Sequence, residues 1–107
     1  MPYPKYEIFK DKSGKFRFRL FAGNAQIILQ SQGYNSKEAC MKGIQSVKKN
    51  AGNKERFVVE QAKNKKYYFN LVAGNKEVVG TSQMYASRDT LRKGVASVMR
   101  NAKSQVE

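Results

Sequence analysis

The sequence predicts an α+β fold: a tandem duplicated β-β-β-α repeat, with an antiparallel sheet and two helices packed on it about a pseudo-two-fold. Three observations carry this reading. Shifting the chain by 51 places aligns residues 6–52 with 57–103 without a gap, and 17 of the 47 paired positions are identical. Within each copy the apolar spacing changes from two to near 3.6, so strands precede a helix. One copy is too small to bury its own sheet, so the two share a core and form a single domain spanning residues 1–107.

The elements follow in order. "YEIF" (6–9) and "FVVE" (57–60) are short β-rich runs, each followed by a polar turn, "KDKSGK" or "QAKNKK". In "FRFRLFA", Phe16, Phe18 and Leu20 alternate with Arg17, Arg19 and Phe21, the pattern of a strand with one buried face. "YYFNLVA" repeats it with Tyr67, Phe69 and Leu71. Gly23-Asn24 and Gly74-Asn75 supply residues that tolerate positive φ in a tight hairpin leading into the third strands, "QIIL" and "EVVG".

Ser36 and Ser87 stand where a hydroxyl accepts from the unpaired N–H groups of a first helical turn, and Glu38 and Asp89 place negative charge at the positive end of the helix dipole. Cys40, Ile44 and Val47, and Leu91, Val95 and Val98, form one apolar stripe per helix; Asn50-Ala51-Gly52 supplies a stop. Gly43 and Gly94 fall inside these helices, where glycine costs about 0.5–1 kcal/mol relative to alanine, so close approach of the helix backbone to the sheet or to the other helix is expected. Tyr34 and Tyr85 are expected against the sheet edge with hydrogen-bonded hydroxyls.

Composition limits the chemistry. No histidine is present, which removes the commonest general base near neutral pH and the commonest metal ligand. The single cysteine excludes a zinc-type cluster and an intramolecular disulfide, and favours a reducing, cytoplasmic setting. Cys40 at a helix start would be an activated nucleophile, but its counterpart is Leu91, which makes it a core filler. The first twelve residues hold no apolar run of signal-peptide length, and nothing approaches the roughly 20 apolar residues of a membrane span. No phosphate-loop or dinucleotide motif occurs, and no catalytic, metal or cofactor site assembles.

The net charge of +13 makes polyanions plausible partners, nucleic acid or an acidic protein among them. It is spread evenly, with ten basic against three acidic residues in 1–53 and eleven against five in 54–107. Two candidate sites follow. Lys15, Arg17 and Arg19 alternate with aromatic residues on a strand, and Lys65 and Lys66 hold the equivalent place beside Tyr67 and Tyr68, a pattern that can contact phosphates and stack on bases. Alternation turns Phe16 and Phe18 away from the arginines, leaving Phe21 and Tyr68 as the rings on the basic side. Ser36-Lys37 and Ser87-Arg88 combine a hydroxyl, free N–H groups and a cation at each helix start, which can hold a small anion or metabolite, although capping alone accounts for the serines.

"FRFRLFAGNAQIILQSQGYNSKEACMKGIQSVKKNA" and "YYFNLVAGNKEVVGTSQMYASRDTLRKGVASVMRNA" resemble the two repeats of the YegP-like family of small bacterial proteins, a tandem of domain of unknown function 1508. The shared pattern is an aromatic strand, a turn with asparagine, "TSQMY" or a near variant, a serine cap, "KGI" or "KGV", "SV" and a closing "NA". The resemblance implies a duplicated β-β-β-α fold sharing one antiparallel sheet and core, with single-repeat members pairing as homodimers. It implies no activity, substrate, cofactor or catalytic residue. The expected function is that of a non-catalytic binding or interaction module, with a basic RNA- or DNA-binding module as the alternative and anion binding at the helix starts as a weaker one. Internal duplication favours a monomer, with a homodimer as the other arrangement.

Overall fold

A computed structural model of the chain describes residues 3–106. The first repeat contributes β1 (Lys5–Lys10), β2 (Phe16–Phe21), β3 (Ile27–Gln30) and α1 (Lys37–Asn50). A 3-10 turn at Lys54–Arg56 leads into the second, with β4 (Phe57–Gln61), β5 (Tyr67–Val72), β6 (Val78–Thr81) and α2 (Arg88–Asn101). All six strands form one antiparallel sheet in the order β1-β2-β3-β6-β5-β4, so the repeats join through β3 and β6. The order is a palindrome of the two repeats, as the pseudo-two-fold requires.

Both helices lie on one face. Phe18, Leu20, Phe69 and Leu71 are fully buried beneath them, together with Leu29, Cys40, Ile44, Val47 and Val98. Each such side chain contributes about 1.5–3 kcal/mol on leaving water. The helices also cross the repeat boundary: α1 packs on β6 as well as β2, and α2 on β3 as well as β5. Neither repeat closes its core alone. At the junction the equivalent positions 29 and 80 face each other unequally. Leu29 fills the space that a Cβ on Gly80 would need, its Cγ 2.7 Å from that point.

The repeated "SQ" and "NA" pairs have structural work. Where β3 leaves the sheet, Ser31 Oγ accepts from Phe18 N at 2.9 Å and donates to Gln32 O at 2.8 Å. Ser82 does the same with Phe69 and Gln83. The chain then returns to pair Tyr34 with Phe16 and Tyr85 with Tyr67, so two buried strands keep their backbone partners past the end of the ladder. At the helix ends, Asn50 Nδ2 donates to Ser46 O and Asn101 Nδ2 to Ser97 O, both at 2.8 Å, satisfying carbonyls of the last turn.

Two expectations need correction. Positive φ falls on Ala25 and Lys76, at 69° each, and not on Gly23-Asn24 or Gly74-Asn75. Ala22 O accepts from Ala25 N across the turn, and the left-handed residue comes after it, where it matches the strand twist. Asn24 and Asn75 instead accept through Oδ1 from Gln26 N and Glu77 N. Helix α1 ends at Asn50, at the expected stop, and Ala51 caps it in right-handed conformation with its N–H donating to Val47 O. Tyr34 and Tyr85 are not at the sheet edge. Each ring stacks on Phe18 or Phe69, with centroids 6.5 and 6.3 Å apart, and its hydroxyl occupies the space that a Cβ on Gly43 or Gly94 would need. The close approach that explains those glycines is therefore to a tyrosine ring of the same repeat.

Candidate functional site

Helices on one face leave the other face of the sheet uncovered by any helix among the described residues. The register sets what it presents. Lys5, Glu7 and Phe9 on β1 lie opposite Phe21, Arg19 and Arg17 on β2. Val58 and Glu60 on β4 lie opposite Asn70 and Tyr68 on β5. Phe21 and Val72 pair with Ile27 and Val78 across the hairpins. This face mixes rings, aliphatic side chains and two guanidinium groups, and Val58 and Val78 stay 40% and 39% exposed. A shallow cleft of about 390 Å³ near its centre is lined by Arg17, Gln30, Gln32, Val78 and Thr81.

The alternation reading places the arginines correctly, but they have internal partners. Arg17 Nε donates to Asp11 Oδ2 at 2.7 Å. Arg19 stacks on Phe9, 3.9 Å from its centroid, and approaches Glu7 at 3.9 Å. Phe9 was missed as a ring on this face because its repeat counterpart is Glu60; the parity of "YEIF" is the signal that finds it. Lys15 Nζ donates to Asn35 Oδ1 at 2.7 Å. Lys65 sits in the β4–β5 turn at positive φ, the place held by Gly14 in the first repeat. Because β3 and β6 are antiparallel, the turn before β2 and the turn before β5 lie at opposite ends of the sheet. Lys15 and Arg17 are thus not brought together with Lys65 and Lys66.

Asp11 organises its turn. Its Oδ1 accepts from Ser13 N, Ser13 Oγ and Lys15 N, and its Oδ2 takes Arg17. The bond from Ser13 and then the guanidinium hold its carboxyl far below the ordinary value of 3.8. A depressed carboxyl stabilises the fold above the unfolded pKa and loses that effect as pH falls from near 3.8 through the folded value. Carboxyl carbon NMR is expected to follow Asp11 titrating well below the usual aspartate range. In an Arg17→Gln, Arg19→Gln variant the Asp11 midpoint moves up while the thermal midpoint changes by a few degrees at most, since these partly exposed ion pairs on the solvent side of the sheet contribute little. A drop beyond ten degrees or so would show that these side chains support the core.

At the helix starts the hydroxyls are occupied. Ser36 Oγ accepts from Ala39 N at 3.1 Å. Ser87 Oγ accepts from Thr90 N at 3.2 Å, and Thr90 Oγ1 accepts from Ser87 N at 3.3 Å, a reciprocal cap. Arg88 lies 5.3 Å over the Tyr67 ring, and Lys37 lines an apolar cleft beside Ile8 and Met41. Ser36→Ala and Ser87→Ala are each expected to cost about 1 kcal/mol in chemical denaturation, the usual loss of an N-cap. Burial pushes the Cys40 thiol above its usual range, away from nucleophilic activation. Among the described residues no three of His, Cys, Asp or Glu gather as metal ligands, and no helix is long and apolar enough to cross a membrane.

The fold and its surfaces define a duplicated β-β-β-α protein with one sheet face under helices and the other uncovered. The chain belongs to the DUF1508 family, a domain of unknown function, whose model matches twice, at residues 11–57 and 62–106. It is 50% identical over 97 residues to the UPF0339 protein in the ptx operon 5' region of Stutzerimonas stutzeri, covering 91% of this chain and 87% of that one. It is 45% identical to the UPF0339 protein YegP of Escherichia coli K12, over 94% and 91% of the two chains. The solution NMR structure of E. coli YegP, itself described as a protein of unknown function, superposes with a TM-score of 0.91 at 44% identity, covering 96% of this chain and 90% of that one. A UPF0339 protein from Shewanella oneidensis gives 0.90 at 43% identity, over 96% and 88%. The duplicated architecture is thus that of the family.

Proposed function

We propose that the chain is a non-catalytic interaction module that binds through the uncovered face of its sheet. The observation that carries this reading is the one-sided placement of the helices, which leaves Phe9, Phe21, Tyr68, Val58 and Val78 on the face away from the core. Aromatic residues and arginine are the types enriched in protein interfaces, and paired arginines suit a surface that is to be desolvated. The absence of histidine and the burial of Cys40 support a role without catalysis. A cytoplasmic setting suits a lone thiol that cannot form a disulfide within its own chain.

The charge of +13 favours a second reading, in which Lys15, Arg17 and Arg19 at one end, and Lys65 and Lys66 at the other, contact nucleic-acid phosphates. Anisotropy titrations of labelled single-stranded RNA, single-stranded DNA and duplex DNA separate the two. The interaction-module reading expects weak and equal binding that vanishes as salt rises from about 50 to 150 mM. Selective binding that persists at the higher salt and is lost on changing those five cations to glutamine would install the nucleic-acid reading instead. Capture of bacterial proteins on wild-type and on a folded Val58→Lys, Val78→Lys variant completes the test. A partner retained equally by both does not use this face.

A further inference from the structure

The two outer edges of the sheet are treated differently, and the difference shows what one of them accepts. Beyond α2 the chain turns back along β1: Tyr6 N donates to Gln105 O at 2.8 Å, and Val106 pairs with Tyr6 in parallel. Val106 is half-buried and packs against the core beside Ile8. The edge of β1 thus carries a short extended segment anchored by one branched aliphatic side chain.

At the other edge the corresponding segment cannot do this, because the chain after α1 runs directly into β4. It forms the 3-10 turn instead, and Phe57 N donates to Lys54 O. From Val59 onward β4 has no strand on its outer side among the described residues. Tyr6, Ile8 and Lys10 correspond to Phe57, Val59 and Gln61, whose backbone groups turn outward; Phe57 N is taken by Lys54 O, and Val59 and Gln61 offer unpaired N–H and C=O groups. Beside them lies a groove of about 340 Å³ floored by Phe57, Val59, Leu91, Val95 and Met99. Val59 is 43% exposed. The charged side chains lining it are Lys54 and Arg92, the latter 3.4 Å from the exposed Asp89.

We propose that β4 and this groove bind an extended acidic segment of another protein, which adds as a strand from Val59 and seats a branched aliphatic side chain where the groove is open. The tail on β1 supplies the pattern for the pairing, and strand addition to an exposed edge is an established recognition mode. The charge selects the partner. A second copy would bring +13 against +13, whereas an acidic segment meets Lys54 and Arg92 with opposite sign. This site is separate from the uncovered sheet face and does not rest on that reading.

The test uses the whole chain and a labelled, end-blocked octapeptide of alternating valine and glutamate. Binding with a stoichiometry of one is expected, with amide shifts confined to Val58–Gln61 and the Val95 to Met99 stretch. Two variants examine the geometry. Val59→Glu places in the groove a charge of the same sign as the peptide, and Gln61→Pro removes an outward N–H that the internal ladder does not use. Each is expected to weaken binding at least tenfold while keeping the wild-type amide spectrum elsewhere. Equal affinity for a peptide with alanine in place of valine, unchanged affinity in both folded variants, or shifts centred on β1 or the uncovered face would overturn the proposal. So would a dimer in sedimentation equilibrium that Val59→Glu abolishes, since the edge would then serve self-association.

Discussion

Alanine in place of Gly43 and Gly94 is expected to lower the thermal midpoint, although alanine is the better helix former. Propensity alone predicts a gain of about 0.5–1 kcal/mol at each site. Packing opposes it. A Cβ on Gly43 would lie 2.7 Å from Tyr34 Cζ and 3.1 Å from Phe18 Cε2; on Gly94 it would lie 2.5 Å from Tyr85 Cζ. Neither tyrosine can swing aside cheaply, because each is stacked on a buried phenylalanine and held by paired backbone bonds to Phe16 or Tyr67. Overpacking of this kind costs about 1–3 kcal/mol, so each substitution is expected to be net destabilising. With about 4–8 °C lost per kcal/mol in a domain of this size, the double variant falls by ten degrees or more. A double-mutant cycle identifies the cause: in a Tyr34→Ala background the cost of Gly43→Ala disappears. A midpoint that rises with alanine would mean that the rings rest elsewhere in solution.

Tyr6→Phe is the second large effect. The Tyr6 hydroxyl donates to Ala102 O at 2.6 Å in a buried setting, and burial raises its pKa well above the ordinary tyrosine value. The bond joins the first strand of one repeat to the helix end of the other. Removing it leaves a buried carbonyl without its donor, at a cost of about 1–3 kcal/mol. The second repeat has Phe57 at the equivalent position, so the contact has no twin to share the loss. Amide exchange is expected to accelerate first over residues 101–106, where that carbonyl and the segment on β1 lie. Uniform acceleration across the chain would indicate a global effect instead.

The strands, their buried faces and the helix caps were legible because each is a local property, written twice. Alternation in "FRFRLF" placed Phe18 and Arg17 on opposite faces, and Ser36 and Ser87 announced the helix starts. What the sequence did not disclose depends on distant partners. Five cations looked like one patch when the copies were aligned in the same direction; the antiparallel β3–β6 junction sends the copies opposite ways and separates them. Gly43 signalled a close approach, which the sequence assigned to the sheet or the other helix; the nearest group is Tyr34, which reaches it through a connection with no periodicity. Gln105 and Val106 formed too short a stretch to show as a strand. The turn geometry misled for a different reason. A three-residue hairpin puts its left-handed residue after the asparagine, and alanine or lysine tolerates that position when the strands on both sides impose it.

The unequal meeting of Leu29 and Gly80 bears on why two units in one chain differ from two chains of one unit. Around an exact two-fold axis, equivalent positions carry the same residue, so a pair facing each other there must be two large side chains or two small ones. Large ones collide and small ones leave a void. Covalent duplication removes that restriction, because the halves can drift apart in sequence while staying locked in register. Here one half contributes the knob and the other the socket, a seam that identical partners cannot form. The linked chain can therefore fill its central junction closely, and its two outer borders are equally free to take on separate tasks.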